Sequence, residues 1–546
     1  MDFVLALHSH LPYVLNHGRW PHGSDWLCEA ALDTYLPLLE QLRALDREGI
    51  PAPVTIGFTP VLANQLANPE FGRELEAYLD QRLVACAEAP ASLASTGDSA
   101  LLPLVSFWRS RLERLRRLFQ STDGDLLRAF RELRERGALE IIGSAATHGY
   151  LPLLRRDESI RLQLVAGYHE HARLFGAPPL GCWLPECAYR PRRGARPGIE
   201  EHLAEAGFRY FFTDAHLASA GMPLGSYSDV PLGAERFDAE RHDGAPDPAA
   251  EVVRTPYRAY RVSRGRPGVA ALVRDPRSSM QVWSRHQGYP GDEWYLEFHK
   301  IRWPGGLKLW RVTGGDVDLG DKRAYEPQRA QDRTGDHARH FADLLADLAG
   351  AESPLVVAPF DTELFGHWWF EGVDFLAATY RELRRHPSIH PVTAGHHVTN
   401  APAAAAVQLA EGSWGVHGNH SMWMNPETQW TWDRLWPLED AFWSAAPGAL
   451  ASPAARPILA QAARELLLAQ ASDWQFIIST GAVPDYAERR FRLHCDDTAR
   501  LLDAIRTGTL DGGARLAEEL WQRDRVFPDV LDAVAAALEA PAATRR

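Results

Sequence analysis

Phe3-Val4-Leu5-Ala6-Leu7 runs straight into His8-Ser9-His10-Leu11-Pro12-Tyr13. Five consecutive apolar residues with no polar alternation fit a strand buried on both faces. A histidine-bearing polar turn follows at once. The same construction recurs at Val54–Phe58, Leu139–Ile142, Gly181–Leu184, Tyr210–Thr213, Val269–Val273 and Leu355–Ala358. Helix-like segments lie between them, at Glu29–Leu45, Leu126–Arg136, Ser159–Phe175, Ile199–Ala206 and Asp336–Ala349. Short apolar strands alternating with helices define an α/β chain built on a parallel sheet. Seven of them predict a (β/α)7 barrel, whose functional groups should stand at the C-terminal ends of the strands.

Two stretches interrupt this alternation. Val61–Asp123 is helix-rich and reads as a helical insertion within the barrel, over residues 61–123. Ala218–Asp247 is rich in Gly, Pro, Ser and Asp and reads as a long mobile loop, a common place for a lid. From Pro402 onward the pattern is expected to be helical only. The division is therefore a catalytic barrel over 1–400 and an all-α C-terminal domain over 401–546 that completes the cleft.

Composition narrows the function. With 45% hydrophobic residues the chain can bury a large core, and a net charge of −13 argues against nucleic acid and anionic membranes as partners. The five cysteines are odd in number and scattered, with no CxxC pair, so neither a disulfide framework nor a zinc ribbon is supported. The apolar run after Met1 is too short for a signal peptide, and no stretch approaches the ~20 apolar residues of a membrane helix. A cytoplasmic protein, a monomer or small homo-oligomer, is the expectation.

The strand ends carry the chemistry. His8 and His10, two apart, can share one face; they are either a packed, hydrogen-bonded pair or two ligands of a metal needing a third such as Asp214 or His148. His148 itself sits in a polar loop after the third strand. Trp183-Leu184-Pro185-Glu186 places a glutamate just beyond an apolar strand, where Pro185 ends the ladder. Such a carboxylate is costly unless it works or is paired, the structural alternative being Arg190, Arg192 or Arg193. Phe360-Asp361 repeats the placement beside His367-Trp368-Trp369. Two carboxylates 175 positions apart can thus face each other across one cleft, the arrangement that glycoside chemistry needs. Tryptophan points to the same substrate class. Six of the 18 fall between Trp414 and Trp443, where the chain average predicts one. Indole offers a flat apolar face and a polar edge that match a sugar ring. Trp436 and Trp443 read as helix packing, Trp414 and Trp423 as sugar platforms.

Taken together, HSHLPY at His8, ATHGYLP at Ala146, WLPECAY at Trp183, APFDTELFGHWWFEG at Ala358 and the tryptophan block at Trp414 resemble glycoside hydrolase family 57, and within it the α-glucan branching enzymes. The resemblance covers His8 to about Trp474. It implies a seven-stranded barrel with a helical domain, and a retaining mechanism without metal or other cofactor. It assigns Glu186 as nucleophile and Asp361 as general acid/base. It further implies substrate contacts from His10, Trp20, His148, Trp283, Trp369, Trp414, Trp423, Asp473 and Trp474. The expected substrate is an α-1,4-glucan, as in amylose or glycogen, and the expected activity is 1,4-α-glucan branching, with α-amylase or 4-α-glucanotransferase as alternatives on the same site. The branching subgroup carries a tyrosine on a lid loop; the corresponding stretch here holds only Tyr227. A metal-dependent polysaccharide deacetylase-like or α-mannosidase-like hydrolase is the competing class, and it would recruit His8, His10 and Asp214 as ligands.

Overall fold

A computed structural model describes residues 1–19, 22–219, 254–262, 268–283, 288–350 and 353–539. Its strands are β1 (Asp2–Ser9), β2 (Val54–Phe58), β3 (Leu139–Ser144), β4 (Gly181–Trp183), β5 (Tyr210–Thr213), β6 (Tyr260–Arg261), β7 (Ala270–Val273), β8 (Leu355–Asp361) and β9 (His390–Pro391). They form one sheet in the order β6-β7-β5-β4-β3-β2-β1-β8, with β9 on the outer start of β1. Seven of them, β1 to β5 with β7 and β8, run parallel and match the seven apolar runs read from the sequence, β4 ending and β7 starting one residue inside its run. The sheet curls until its edges approach: the Asp275 amide, just past β7, donates to the Val357 carbonyl of β8 at 2.8 Å.

Both faces of the sheet are covered, which is why its strands are apolar throughout. On β1, Phe3, Leu5 and Leu7 point outward under the helices, while Val4 and Ala6 point inward to Ile142, Trp183, Phe212, Leu272 and Val357. His8 continues the inward row and stacks on Trp183, centroids 4.6 Å apart. Register does the rest: His8 lies opposite Asp361 on β8 and Gly57 on β2. The mouth of the barrel is thus fixed by the same pairing that closes its core.

The insertion between β2 and β3 consists of helices Pro60–Leu66, Pro69–Thr96 and Leu102–Ser121. The C-terminal part departs from the expectation. Between Ala401 and Thr428 the chain is irregular, with one short turn at Val416–Gly418, and helices resume only at Gln429. Glycines explain this. Gly418 has φ +70, and a Cβ on Gly415 would sit 2.8 Å from the Trp423 ring, so the stretch can pass where no side chain fits.

Helix Gln429–Ala451 docks on the barrel. Its Trp436 and Trp443 donate to the Leu153 carbonyl and Ser159 Oγ, and Glu439 accepts from the Arg155 and Arg156 amides. That docking carries Ala471-Ser472-Asp473 to the barrel mouth, where the Ser472 amide donates to the His148 carbonyl at 3.1 Å. No helix among the described residues is long and apolar enough to cross a membrane.

Candidate active site

A cavity of about 600 Å³ opens at the C-terminal ends of the parallel strands. His8, His10, His148, Glu186, Trp283, Asp361, Trp414 and Asp473 all line it. They arrive from seven segments: His8 and His10 from the end of β1, the others from the ends of β3, β4 and β8, the helix after β7, the glycine-rich stretch after Ala401, and the C-terminal domain.

Glu186 is held in an uncommon backbone. β4 ends at Trp183, a short turn begins at Pro185, and Glu186 adopts φ 58 and ψ 24, the left-handed region that non-glycine residues rarely enter. His148, at φ 59, does the same after β3. Such conformations persist where the surroundings over-determine them, and they cluster at functional sites. The surroundings here are explicit. Trp414 Nε1–H donates to Glu186 Oε2 at 2.9 Å, and the Trp414 amide donates to the Glu186 carbonyl at 3.1 Å. His148 Nδ1 lies 3.8 Å from Oε1. The three nearby arginines are engaged elsewhere: Arg192 with Glu201, Arg193 with Glu411, and Arg190 with the Pro191 carbonyl.

Burial, and then the charge of Asp361, push the Glu186 carboxyl up to about 8, against hydrogen bonds from Trp414 and Ser472 that favour the anion. Glu363, at the same strand end, is likewise pushed up to about 8 by burial and by Asp361, while a hydrogen bond from the Tyr35 hydroxyl opposes the rise. Glu186 and Glu363 thus share one cavity with Asp361, whose charge makes ionising either of them costlier.

The histidines form a chain. His8 Nε2 and His148 Nε2 are 3.0 Å apart, so one donates and the other accepts. Burial, followed by the neighbouring imidazoles, lowers both well below the usual histidine range, which keeps the pair neutral. His148 Nδ1 meets Ser472 Oγ at 2.9 Å; His10 Nε2 meets Asp473 at 3.0 Å, and its Nδ1 meets Thr59 Oγ1 at 2.9 Å. The ligating atoms of His10, His148 and Asp473 lie within 4.8 Å of one another. Every ring nitrogen of His10 and His148 is already hydrogen-bonded, so a metal there would have to displace those bonds. The alternative ligand Asp214 is turned to Arg274 at 3.4 Å and to His216 at 3.6 Å.

Three expected substrate contacts are corrected. Trp369 does not line the cavity; it is buried among Tyr289, Tyr295 and Phe375. Its neighbour Trp368 lines the cavity and is 57% exposed. Trp423 is fully buried and stacks on Tyr150 at 4.4 Å, so it supports the loop that holds Trp414 and is not itself a platform. Trp474 is buried against Tyr486 and His494 and donates to the Leu468 carbonyl. Trp20, Tyr227 and most of the Ala218–Asp247 loop lie outside the described residues. Sequence reasoning missed Trp303, Trp368, Lys308 and Arg82 in the cavity wall. Only the adjacency of Trp368 to Trp369 offered a signal for one of them.

Comparison with known proteins gives the following. The sequence matches the family described as Glycosyl hydrolase family 57 over residues 4–409, and the one described as 1,4-alpha-glucan branching enzyme, C-terminal, over residues 443–534. It is 38% identical to a 1,4-alpha-glucan branching enzyme of Thermococcus kodakarensis, over 97% of this chain and 77% of that one. The crystal structure of a GH57-type branching enzyme from Pyrococcus horikoshii superposes with a TM-score of 0.87 at 38% identity, covering 99% of this chain and 97% of the other. The alpha-amylase AmyC of Thermotoga maritima superposes with a TM-score of 0.81 at 28% identity, covering 98% and 99%.

Proposed function

We propose a reaction for this chain from one premise: it belongs to glycosyl hydrolase family 57. It is a retaining α-glucan transglycosidase, a 1,4-α-glucan branching enzyme, with Glu186 as nucleophile and Asp361 as general acid/base. The observation that carries this reading is the pair itself. Glu186 and Asp361 stand at two strand ends of one barrel, line one cavity and couple electrostatically, with Trp414 and Trp283 as aromatic walls.

In the first step the Glu186 carboxylate attacks C1 of an α-1,4-linked glucose unit. The C1–O4 bond breaks, and Asp361 gives its proton to the departing O4. The product is a β-glycosyl ester on Glu186. In the second step Asp361 takes the proton of a 6-hydroxyl on another glucan chain. That oxygen attacks C1, the ester bond breaks, and an α-1,6 link forms with net retention. The Trp414 N–H stabilises the carboxylate before attack and again as it leaves. The neutral His8–His148 pair lines the cavity without adding charge, and Asp473, oriented by His10, offers acceptor oxygens to sugar hydroxyls.

Water in place of the 6-hydroxyl would make the same site an α-amylase, and the likeness to AmyC keeps that second reading open to test. Proton NMR of amylose incubated with the enzyme decides between them. Growth of the α-1,6 anomeric signal with few new reducing ends is expected. Reducing ends without α-1,6 signal would overturn branching in favour of hydrolysis.

A further inference from the structure

Among the described residues only five large apolar side chains stand exposed, and two of them, Trp303 at 62% and Trp368 at 57%, line the cavity that holds Glu186 and Asp361. Large apolar surface exposed beside a cleft marks a binding site, and these two indoles each keep more than half of their surface open.

Both are mounted on rigid supports. Trp303 rides on a tight turn closed by the Arg302 amide to the Leu307 carbonyl and by the Gly306 amide to the Arg302 carbonyl, both 2.9 Å. The helical insertion grips this turn. Arg82 Nη1 donates to the Gly305 carbonyl at 2.8 Å, and Arg82 Nη2 is paired with Glu29 at 3.0 Å. Trp108 Nε1 donates to the Lys308 carbonyl at 2.6 Å, and Arg302 reaches Ser92 at 2.6 Å. Gly306 is required: at φ +67 its missing Cβ leaves room for the Arg82 guanidinium. Trp368 is fixed from the other side. Its amide donates to the Glu363 carbonyl at 3.1 Å, and its ring lies nearly parallel to Phe298, centroids 6.0 Å apart. Lys308 Nζ stands over Phe298 at 4.7 Å.

We infer that Trp303 and Trp368 form an outer α-glucan subsite, which binds a stretch of the chain beyond the bond being broken, and that the helical insertion exists to hold the Trp303 half of it. The inference rests on the functional reading above. Its chemistry is the stacking of the apolar C–H faces of glucose units on indole, with continuity into the catalytic cavity as the reason the occupant is the substrate itself.

The test uses the full-length Glu186→Gln protein, in which binding is read without turnover. Affinity electrophoresis in amylose and titration with maltotriose are run on this parent and on versions that add Trp303→Ala, Trp368→Ala or both. The double substitution is expected to weaken amylose binding about 10-fold, as loss of well-placed tryptophans does. It should also remove most of the parent's gain in affinity between maltotriose and amylose. Trp303→Phe and Trp368→Phe should restore most of the loss, which a merely structural role would not predict. Equal amylose affinity in the double variant and the parent overturns the subsite while leaving the functional reading intact. A parent that does not bind amylose at all overturns the functional reading, and the subsite with it. In the wild-type enzyme, amylose should protect both tryptophans from N-bromosuccinimide; unprotected oxidation would again overturn the subsite.

Discussion

Two regions of this molecule bury carboxyls, and they treat them in opposite ways. At the barrel mouth Glu186 is held beside Asp361, with neutral histidines and an indole N–H around it, and no arginine or lysine among the described residues pairs with it. Between the helices of the C-terminal part, Asp524 is fully buried, yet Arg523 Nε reaches it at 2.6 Å and His17 Nε2 at 2.6 Å. Burial alone would raise both groups. For Glu186 it does, to about 8; for Asp524, the hydrogen bond from His17, with the charges of His494, His17 and Arg523 behind it, overcomes it and holds the carboxyl below the usual range. The difference lies in the partners supplied, and it separates a group kept reactive from a group kept in place. The lower network ties distant segments: Arg523 also meets Asp497 at 2.8 Å, and His494 Nδ1 meets Glu465 at 2.7 Å.

Glu186→Gln gives the largest expected effect and sharpens the contrast twice. Turnover should fall roughly 10⁴-fold or more, since the covalent step loses its nucleophile; near-normal turnover in a folded variant would sink the assignment. Stability should move the other way. The folded-state value of Glu186 lies above its unfolded value of about 4.3, so the fold holds a proton that the unfolded chain releases. Its stabilising contribution is complete below the unfolded value and is lost as pH rises toward 8. The glutamine variant lacks this loss. Its advantage in melting or denaturant midpoint should grow between about pH 4.5 and 8, at up to about 1.4 kcal/mol per pH unit. A constant difference across that window would break the comparison.

Asp524→Asn should do the reverse, at the next size of effect. Removing one partner of a buried ion pair leaves Arg523 and His17 facing a neutral amide, with an expected loss of about 3 kcal/mol in chemical denaturation. The loss should shrink as pH falls below about 4, because the contribution of a carboxyl held low is present above its unfolded value and disappears on protonation. Activity per folded molecule should stay within about twofold, since Asp524 lies outside the catalytic cavity. A variant as stable as the parent would show that the network is incidental.

The two regions were not equally visible in the sequence. The barrel was, because strands buried on both faces must be apolar, and Glu186 and Asp361 are the carboxylates that follow two of those apolar runs. The ionic network was not. Its members include His17, Glu465, His494, Asp497, Arg523 and Asp524, whose meeting depends on how separate segments pack, and no periodicity encodes that. The tryptophans failed for a smaller reason. Composition marks a sugar site, but facing is a matter of one residue: Trp368 looks out and Trp369 looks in. Similarly, the nine-residue spacing of Trp414 and Trp423 says nothing of the turn that puts one ring on Glu186 and the other on Tyr150. The chain from Pro402 onward was expected to be helical, and in the stretch up to Thr428 its glycines prevail where the chain passes close to other groups.

The smallest predicted effect tests the cleft side of the contrast alone. Trp414→Phe keeps the aromatic wall and removes only the N–H that donates to Glu186 Oε2. A hydrogen bond to a charged group contributes about 1.5–3 kcal/mol, so kcat should fall roughly 10- to 100-fold. That bond also opposes the rise of Glu186, so without it the carboxyl should move further up. The rising limb of kcat/KM against pH should shift to higher pH in the variant, since more base is needed to ionise the nucleophile. A fall in kcat with an unmoved limb would mean that Trp414 only shapes the cavity. A shift with the expected sign would mean that Glu186, with no arginine or lysine paired to it among the described residues, relies on neutral donors to make its buried carboxyl usable, whereas His17, His494 and Arg523 together hold Asp524 in place.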